Sequence, residues 1–200
     1  MNFNYSENYI LENEAVLLRP LEKSDFEYLL EYSLNEPDIW TYNANGANGA
    51  ENLERYISNT ITQRENEKEY PFIVFDKKTG KFVGSTRFYD IQPGNNTLQL
   101  GFTWYGKKSQ GTGINKNCKM LLLEFAFENM AVERVGFKAN NQNLKSINAM
   151  KSIGCVEEGV NRSYSTNSLG ERIDAISLSI IKTEWFESVK QNLKNKIDSY

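Results

Sequence analysis

The chain has 200 residues, of which 40% are hydrophobic and 12% aromatic, and a formal net charge of -3. This length and apolar content suit one domain over residues 1–200, and with no basic run longer than Lys77-Lys78 or Lys107-Lys108, neither a nucleic acid nor a membrane surface is the expected partner. The complete lack of histidine removes Ser-His-Asp and Cys-His catalysis, His-ligated zinc and His-type general bases, and no metal is expected.

The opening residues carry neither the basic nor the apolar part of a signal peptide, and no apolar run reaches membrane length, so the expected location is cytoplasmic. Ala15-Val16-Leu17-Leu18-Arg19, closed by Pro20, reads as a first strand. Ser24-Asp25-Phe26-Glu27 has capping-box spacing, and Phe26, Leu29, Leu30 and Leu34 then share a helical face. The loop over 35–49 is polar yet holds Trp40 and Tyr42, rings that either anchor it to the core or pack on a bound substrate. A second helix over 50–67 is marked by Leu53, Tyr56, Ile57 and Ile61. Strands at 70–75 and 82–91 and another starting at Leu98 are joined by turns at Lys77-Lys78-Thr79-Gly80 and Pro93-Gly94-Asn95-Asn96, an antiparallel meander that argues against a Rossmann fold.

The centre of the chain carries the strongest chemical signal. Leu98, Leu100, Phe102 and Trp104 alternate with Gln99, Gly101, Thr103 and Tyr105, a strand with two different faces. From Cys118 to Met130 an apolar stripe is so wide that little but Lys116, Lys119, Glu124 and Glu128 is left to face water, which predicts a buried helix. Between them a loop with three glycines ends at Asn115, a good N-cap. Strand, Gly-rich loop and helix N-terminus together make an anion site suited to a diphosphate. The loop lacks the Gly-Lys-Ser/Thr of a nucleotide P-loop and the third glycine of a dinucleotide fingerprint, and by itself it could also be a plain glycine turn.

After this helix, residues 132–139 read as a strand that a crossover places parallel to the one starting at Leu98. A helix with Leu144, Ile147, Met150 and Ile153 stops at Gly154. Strands at 156–164 and 173–181 flank a turn at Thr166-Asn167-Ser168-Leu169-Gly170, and Trp185, Val189, Leu193 and Ile197 line a last helix. Cys118 and Cys155 read as small core residues.

Leu18-Arg19-Pro20-Leu21, Gly101-Phe102-Thr103-Trp104, Gln110-Gly111-Thr112-Gly113-Ile114-Asn115, Glu133-Arg134-Val135, Asn143 with Ser146, Ile153-Gly154-Cys155, Glu158-Gly159 with Arg162, and Glu184-Trp185 follow in an order that resembles the GNAT N-acetyltransferase superfamily, and within it the RimJ/RimL branch of ribosomal-protein N-terminal acetyltransferases. The loop departs from the family signature only at Asn115, where Gly or Ala is usual. The resemblance spans nearly the whole chain. It implies a single GNAT domain with an α+β (mixed α/β) fold: a central, mostly antiparallel seven-stranded sheet with a splayed parallel pair and flanking helices.

The resemblance further implies acetyl-CoA as co-substrate, with its pyrophosphate on Gln110, Gly111, Thr112, Gly113, Ile114 and Asn115 and its pantetheine along Phe102, Thr103, Trp104 and Asn143. A primary amine would attack the thioester directly, and a protein N-terminal α-amine is the implied acceptor. A polyamine, amino acid or antibiotic is an alternative, as is a non-catalytic acyl-CoA-binding domain. The protein would work as a monomer or homodimer. Met150 stands where many family members carry a proton-donating Tyr, which leaves Ser146, one turn earlier, either to donate or simply to bond within its helix turn. Gln99 stands where many carry a Glu base, which leaves Glu158, Asp90, a water chain or an already neutral amine. Trp40, Tyr42, Asp90 and Gln99 are the residues expected at the acceptor.

Overall fold

The computed structural model describes residues 1–42, 46–167 and 170–199; Asn43, Ala44 and Asn45 of the polar loop and Ser168 and Leu169 of the expected last turn lie outside the described residues. The chain enters through two short paired strands, β1 (Leu11–Glu12) and β2 (Val16–Pro20). A 3-10 turn at Lys23–Asp25 then leads into α1 (Phe26–Asn35). The cap is formed two residues earlier than the expected Ser24–Glu27 box: the Glu22 amide donates to Asp25 Oδ2 at 2.8 Å, and both Asp25 oxygens accept from Arg19 at 2.6 and 2.9 Å. A fully buried carboxylate clamped by a fork of guanidinium donors outcompetes a hydroxyl cap.

After α2 (Ala50–Glu65), strands β3 (Glu69–Asp76), β4 (Lys81–Gln92) and β5 (Thr97–Tyr105) form the expected meander. Helix α3 (Ile114–Glu124) continues through a π turn at Phe125–Asn129 to β6 (Arg134–Asn140). Helix α4 (Leu144–Ser152), β7 (Val156–Thr166) and β8 (Arg172–Ile181) follow. The last helix, α5, starts at Lys182–Glu184, passes a π turn at Trp185–Val189 and runs on over Lys190–Asp198. Among the described residues the sheet order is β1-β2-β3-β4-β5-β6-β8-β7, eight strands because the two-residue β1 adds itself to the seven expected.

The two faces of the sheet bury separate cores. Along β3, Phe72 and Val74 join one cluster while Ile73, between them, joins the other, as the period-2 alternation of a strand demands. The larger core takes α3 and α5 through residues such as Cys118, Leu122, Phe127 and Trp185; the smaller takes α1 and α2 through Leu29, Leu53 and Ile57. Trp185 stacks on Phe127 at 5.6 Å and donates to Glu128 Oε1 at 2.9 Å, a fit whose loss would cost about 3–5 kcal/mol.

Two irregularities in β5 create the site. Its parallel pairing with β6 covers only Thr97↔Arg134, Leu98↔Val135 and Gln99↔Gly136; β6 then follows β8, and the two strands part. Against β4, the register jumps from Ser85↔Trp104 to Arg87↔Gly101, so that Phe102 and Thr103 together oppose Thr86. This is a β-bulge, and Phe102 takes the left-handed conformation at φ 49. One face gains an extra residue, and the bulge stands on the open side of the gap.

Candidate active site

The gap between β5 and β6 is part of a cavity of about 910 Å³ that reaches from the Gly-rich loop, past the bulge, to Tyr42 and Tyr164. At the loop end, Gln110 holds the turn closed: its Nε2 donates to the Tyr105 carbonyl at 2.7 Å, and its Oε1 accepts from the Lys145 ammonium of α4. Gly111 and Gly113 have φ of 78 and 87, positions where a side chain would strain the backbone. Gly113, not Asn115, is the residue before α3, and Asn115 lies inside the first turn. The reason is Asn117: its Nδ2 donates to the Gly113 carbonyl at 3.1 Å, and its Oδ1 accepts from Asn13 at 2.9 Å, which fixes the helix start from within. The first α3 amide to bond back is that of Asn117, to Gly113 at 3.1 Å, so the amides of Ile114 and Asn115 point out of the helix end. Two left-handed glycines, outward amides and the helix dipole make a cradle that fits a diphosphate.

The structure brings most of the anticipated cofactor residues together. Phe102, Thr103 and Trp104 line the gap from β5, and Gln110, Gly111, Gly113 and Asn115 line it from the loop. Thr112 and Ile114 do not: the Thr112 hydroxyl bonds the Ser109 carbonyl at 2.7 Å, and the Ile114 side chain is buried in the larger core. From α4, Asn143 caps the helix by accepting the Ser146 amide at 3.1 Å. Ser146 itself faces the cavity, and its hydroxyl makes no hydrogen bond to a described residue.

The acceptor and base candidates separate. Tyr42 is half exposed, lines the cavity and donates to the Gln142 carbonyl at 3.4 Å, spanning the mouth. Trp40 is buried against Trp104 at 4.7 Å and so anchors the loop to the core. Asp90, exposed and left-handed at φ 46, accepts from Gln92 at 2.7 Å outside the cavity. Gln99 lies at the apex of the splay, where a Cβ on Gly136 would come within 2.4 Å of its amide nitrogen; it does not line the cavity. Glu158 is also outside, bound to Arg134 at 2.6 Å and accepting from Ser179 at 2.7 Å. Partial desolvation pushes its pKa up, but the Ser179 and Arg134 bonds and the guanidinium charge outweigh this and hold it below the usual carboxylate value. A carboxylate so satisfied, on the wrong strand, is a poor base.

Sequence reasoning missed Lys119. It was expected to face water; it is 5% exposed, reaches from α3 beneath the bulge, and donates to Thr103 Oγ1 at 2.7 Å and Thr86 Oγ1 at 3.3 Å. A signal was available: Leu122 and Leu123, three and four residues on, share its helix face, and both are fully buried.

A half-split sheet with a bulged strand, an anion cradle at one end and an open mouth at the other suits a transferase whose group donor is long and carries phosphate at one end. The chain belongs to the GNAT acetyltransferases and is an N-acetyltransferase: the family model described as "Acetyltransferase (GNAT) domain" matches residues 15–156. Among its relatives is YdaF of Bacillus subtilis (strain 168), named provisionally as a ribosomal N-acetyltransferase, 26% identical over 178 residues that cover 86% of this chain and 94% of YdaF. Among solved structures, a GCN5-related N-acetyltransferase from Brucella melitensis superposes with a TM-score of 0.88 at 21% identity, covering 97% of this chain and 87% of that one. RimJ of Mycobacterium smegmatis, in complex with CoA-disulfide, superposes with a TM-score of 0.78 at 17% identity, covering 94% and 93%. Among the described residues no group of His, Cys, Asp and Glu could hold a metal, and no helix is long and apolar enough to cross a membrane.

Proposed function

We propose that this chain transfers the acetyl group of acetyl-CoA to the α-amine of a protein N-terminus. Acetyl-CoA would lie in the β5–β6 gap, its pyrophosphate on the loop amides from Gly111 to Asn115 and its pantetheine along Phe102, Thr103 and Trp104, with Asn143 opposite. The thioester supplies an acyl carbon already activated toward an amine. The bulge at Phe102 leaves strand amides available to the developing oxyanion.

The observation that carries the choice of acceptor is the charge of the cavity. Among the described lining residues, Lys107, Lys116, Lys119, Lys138 and Lys145 stand against a single carboxylate, Asp38, and Asp38 is paired with Lys107 at 2.8 Å. A polycation such as a polyamine or aminoglycoside has nothing there to bind it, whatever the net charge of the whole chain. Nor is there a free carboxylate to take a proton, so the acceptor must arrive as a neutral amine. At pH 7 roughly one α-amine in ten is neutral, against fewer than about one in a thousand lysine-type amines. The site therefore suits an N-terminus. Tyr42 and Tyr164 at the mouth offer flat amphipathic surfaces to the first peptide residues. The provisional name of YdaF, a ribosomal N-acetyltransferase, supports a protein acceptor.

In this reading the unengaged Ser146 hydroxyl hydrogen-bonds the sulfur as it leaves. The test is thiol release from acetyl-CoA with N-terminal peptides, polyamines and aminoglycosides as acceptors. Peptide-dependent release, reduced about tenfold by Ser146→Ala, the worth of one hydrogen bond of about 1.4 kcal/mol, is expected. Release driven by a polyamine but by no peptide would replace the acceptor; tight binding without turnover on any amine would leave only an acyl-CoA-binding domain.

A further inference from the structure

We propose that Lys119 is the acid of the reaction: standing on the α3 face of the β5 bulge, its ammonium receives the departing CoA thiolate and gives it a proton. The inference rests on the reading of the cavity as an acyl-CoA site.

An ammonium taken out of water is costly unless an anion or several good acceptors compensate it. Lys119 is 5% exposed, and no carboxylate among the described residues forms an ion pair with it. Its described partners are two hydroxyls, Thr103 and Thr86. These already bond each other at 2.8 Å and do not need a cation between them. The titratable groups that face it are Cys118 on its own helix and Cys155 just beyond α4. Burial pushes both thiols up to about 12, so they stay neutral. The fold thus keeps a positive charge at the wall of a ligand cavity with no negative one to meet it.

The location says which anion fits. Thr103 is half of the bulge, two residues along β5 from Tyr105, whose carbonyl anchors the loop through Gln110. The ammonium is thereby held at the bulge itself, two strand residues or about 7 Å along β5 from the residue that anchors the loop. Phe102, the other half of the bulge, faces the opposite side of the sheet: it meets Tyr89 at 4.9 Å, and the Arg87 guanidinium lies 4.0 Å above its ring. Tyr89 and Tyr42 border the cavity on that acceptor side. An amine entering there meets a thioester in the gap with Lys119 behind it, so the nucleophile forms its bond on one face and the leaving group departs toward the cation on the other.

The steps balance. The amine nitrogen forms the C–N bond, the C–S bond breaks, and its electron pair goes to sulfur. Lys119 passes one proton to sulfur and becomes a neutral amine, while the extra proton on the new amide nitrogen leaves to water. When CoA dissociates, Lys119 takes a proton back from the opened cavity. Burial lowers its pKa to about 8, near that of a free thiol, so it is still charged at neutral pH yet releases its proton readily.

The test titrates the thiol of bound CoA by its thiolate absorbance, with the intact protein and no acceptor, after binding has been measured by calorimetry. In the wild type the bound thiol titrates at least about one unit lower than in Lys119→Met, a tenfold difference in thiolate at fixed pH. Lys119→Gln, which keeps hydrogen bonds to the threonines but not the charge, behaves like Lys119→Met. If both variants bind CoA and its thiol titrates as in the wild type, the assignment is overturned while the cofactor reading stands. If Lys119→Gln retains the low thiol pKa, hydrogen bonding and not charge is responsible, and the assignment also falls. Failure of the wild type to bind CoA would sink the cofactor reading and the assignment with it.

Discussion

A buried cation and a surface carboxylate have opposite effects on stability in this molecule. Lys119 has a folded pKa lowered by desolvation to about 8, from 10.5 when exposed. Between those values the unfolded chain binds more protons than the folded one, so stability rises with pH there, and below about 8 the full cost of the buried charge is present. Replacing it with a methionine of similar length removes that cost. Lys119→Met is therefore expected to melt higher than the wild type at pH 7, with the margin shrinking as pH climbs through 8 toward 10; thermal melts of the two proteins side by side cancel the titration of Cys118 and Cys155 common to both. A lower melting temperature for the variant at pH 7 would mean the ammonium has a structural partner. Glu158 runs the other way. Its folded pKa lies below the unfolded value, so its contribution is present above the unfolded pKa and is lost as pH falls through the folded one. Because the pair with Arg134 is well exposed, the contribution is under about 1 kcal/mol. Glu158→Gln should lower the melting temperature slightly at pH 7 and not at all near pH 3, and should leave acetyl-CoA turnover within about twofold, as expected for a residue outside the cavity. A hundredfold loss of turnover would return Glu158 to the role of base.

At the scale of elements, the loop before α3 shows what could be read from residues and what could not. Periodicity located every strand of the meander, the buried helix and the crossover, because burial on two faces of a sheet imposes a repeat that few other structures share. Which residue closes the loop was not legible. Asn115 looks like a cap by type, but Gly113 precedes the helix because Asn117 donates to its carbonyl and is itself held by the distant Asn13, a contact across 104 residues. The surroundings of Glu158 were not legible for a related reason: its partners Arg134 and Ser179 come from two other strands, and only the sheet order β6-β8-β7 sets them together. The bulge at Phe102 left no mark in the alternation of apolar residues, since it adds one residue without changing their type. Its consequence, the reversal that turns Thr103 toward Lys119, is where residue-level reasoning lost the site. The loop also makes a prediction of its own. A β-carbon at Gly113, with φ of 87, strains the cradle by about 1–2 kcal/mol, so Gly113→Ala should weaken CoA binding about fivefold to thirtyfold in calorimetry. Unchanged affinity would mean that the loop does not have to hold this shape to bind.

The whole molecule is two sheet halves joined at three residue pairs. From β2 to β5 the strands are paired over long registers, and β6, β8 and β7 form a second ladder; Thr97↔Arg134, Leu98↔Val135 and Gln99↔Gly136 connect them. Beyond that apex, the facing backbone of Phe102 to Trp104 on one side and Phe137 to Asn140 on the other lacks a strand between them. A ligand arm lying there completes the sheet by supplying the missing partner to both edges, so binding and sheet cohesion are one event. Hydrogen exchange with and without CoA should show added protection at residues 102–104 and at the loop from 110 to 115, with less change in β1 and β2 at the far edge. At a hundredfold excess over its dissociation constant, CoA should add about 2.7 kcal/mol to stability and raise the melting temperature by roughly 5–11 °C for a chain of this size. Protection at the loop alone, with none in β5, would mean that the ligand is held by its phosphates and leaves the gap open, and the acyl group would then not reach the bulge.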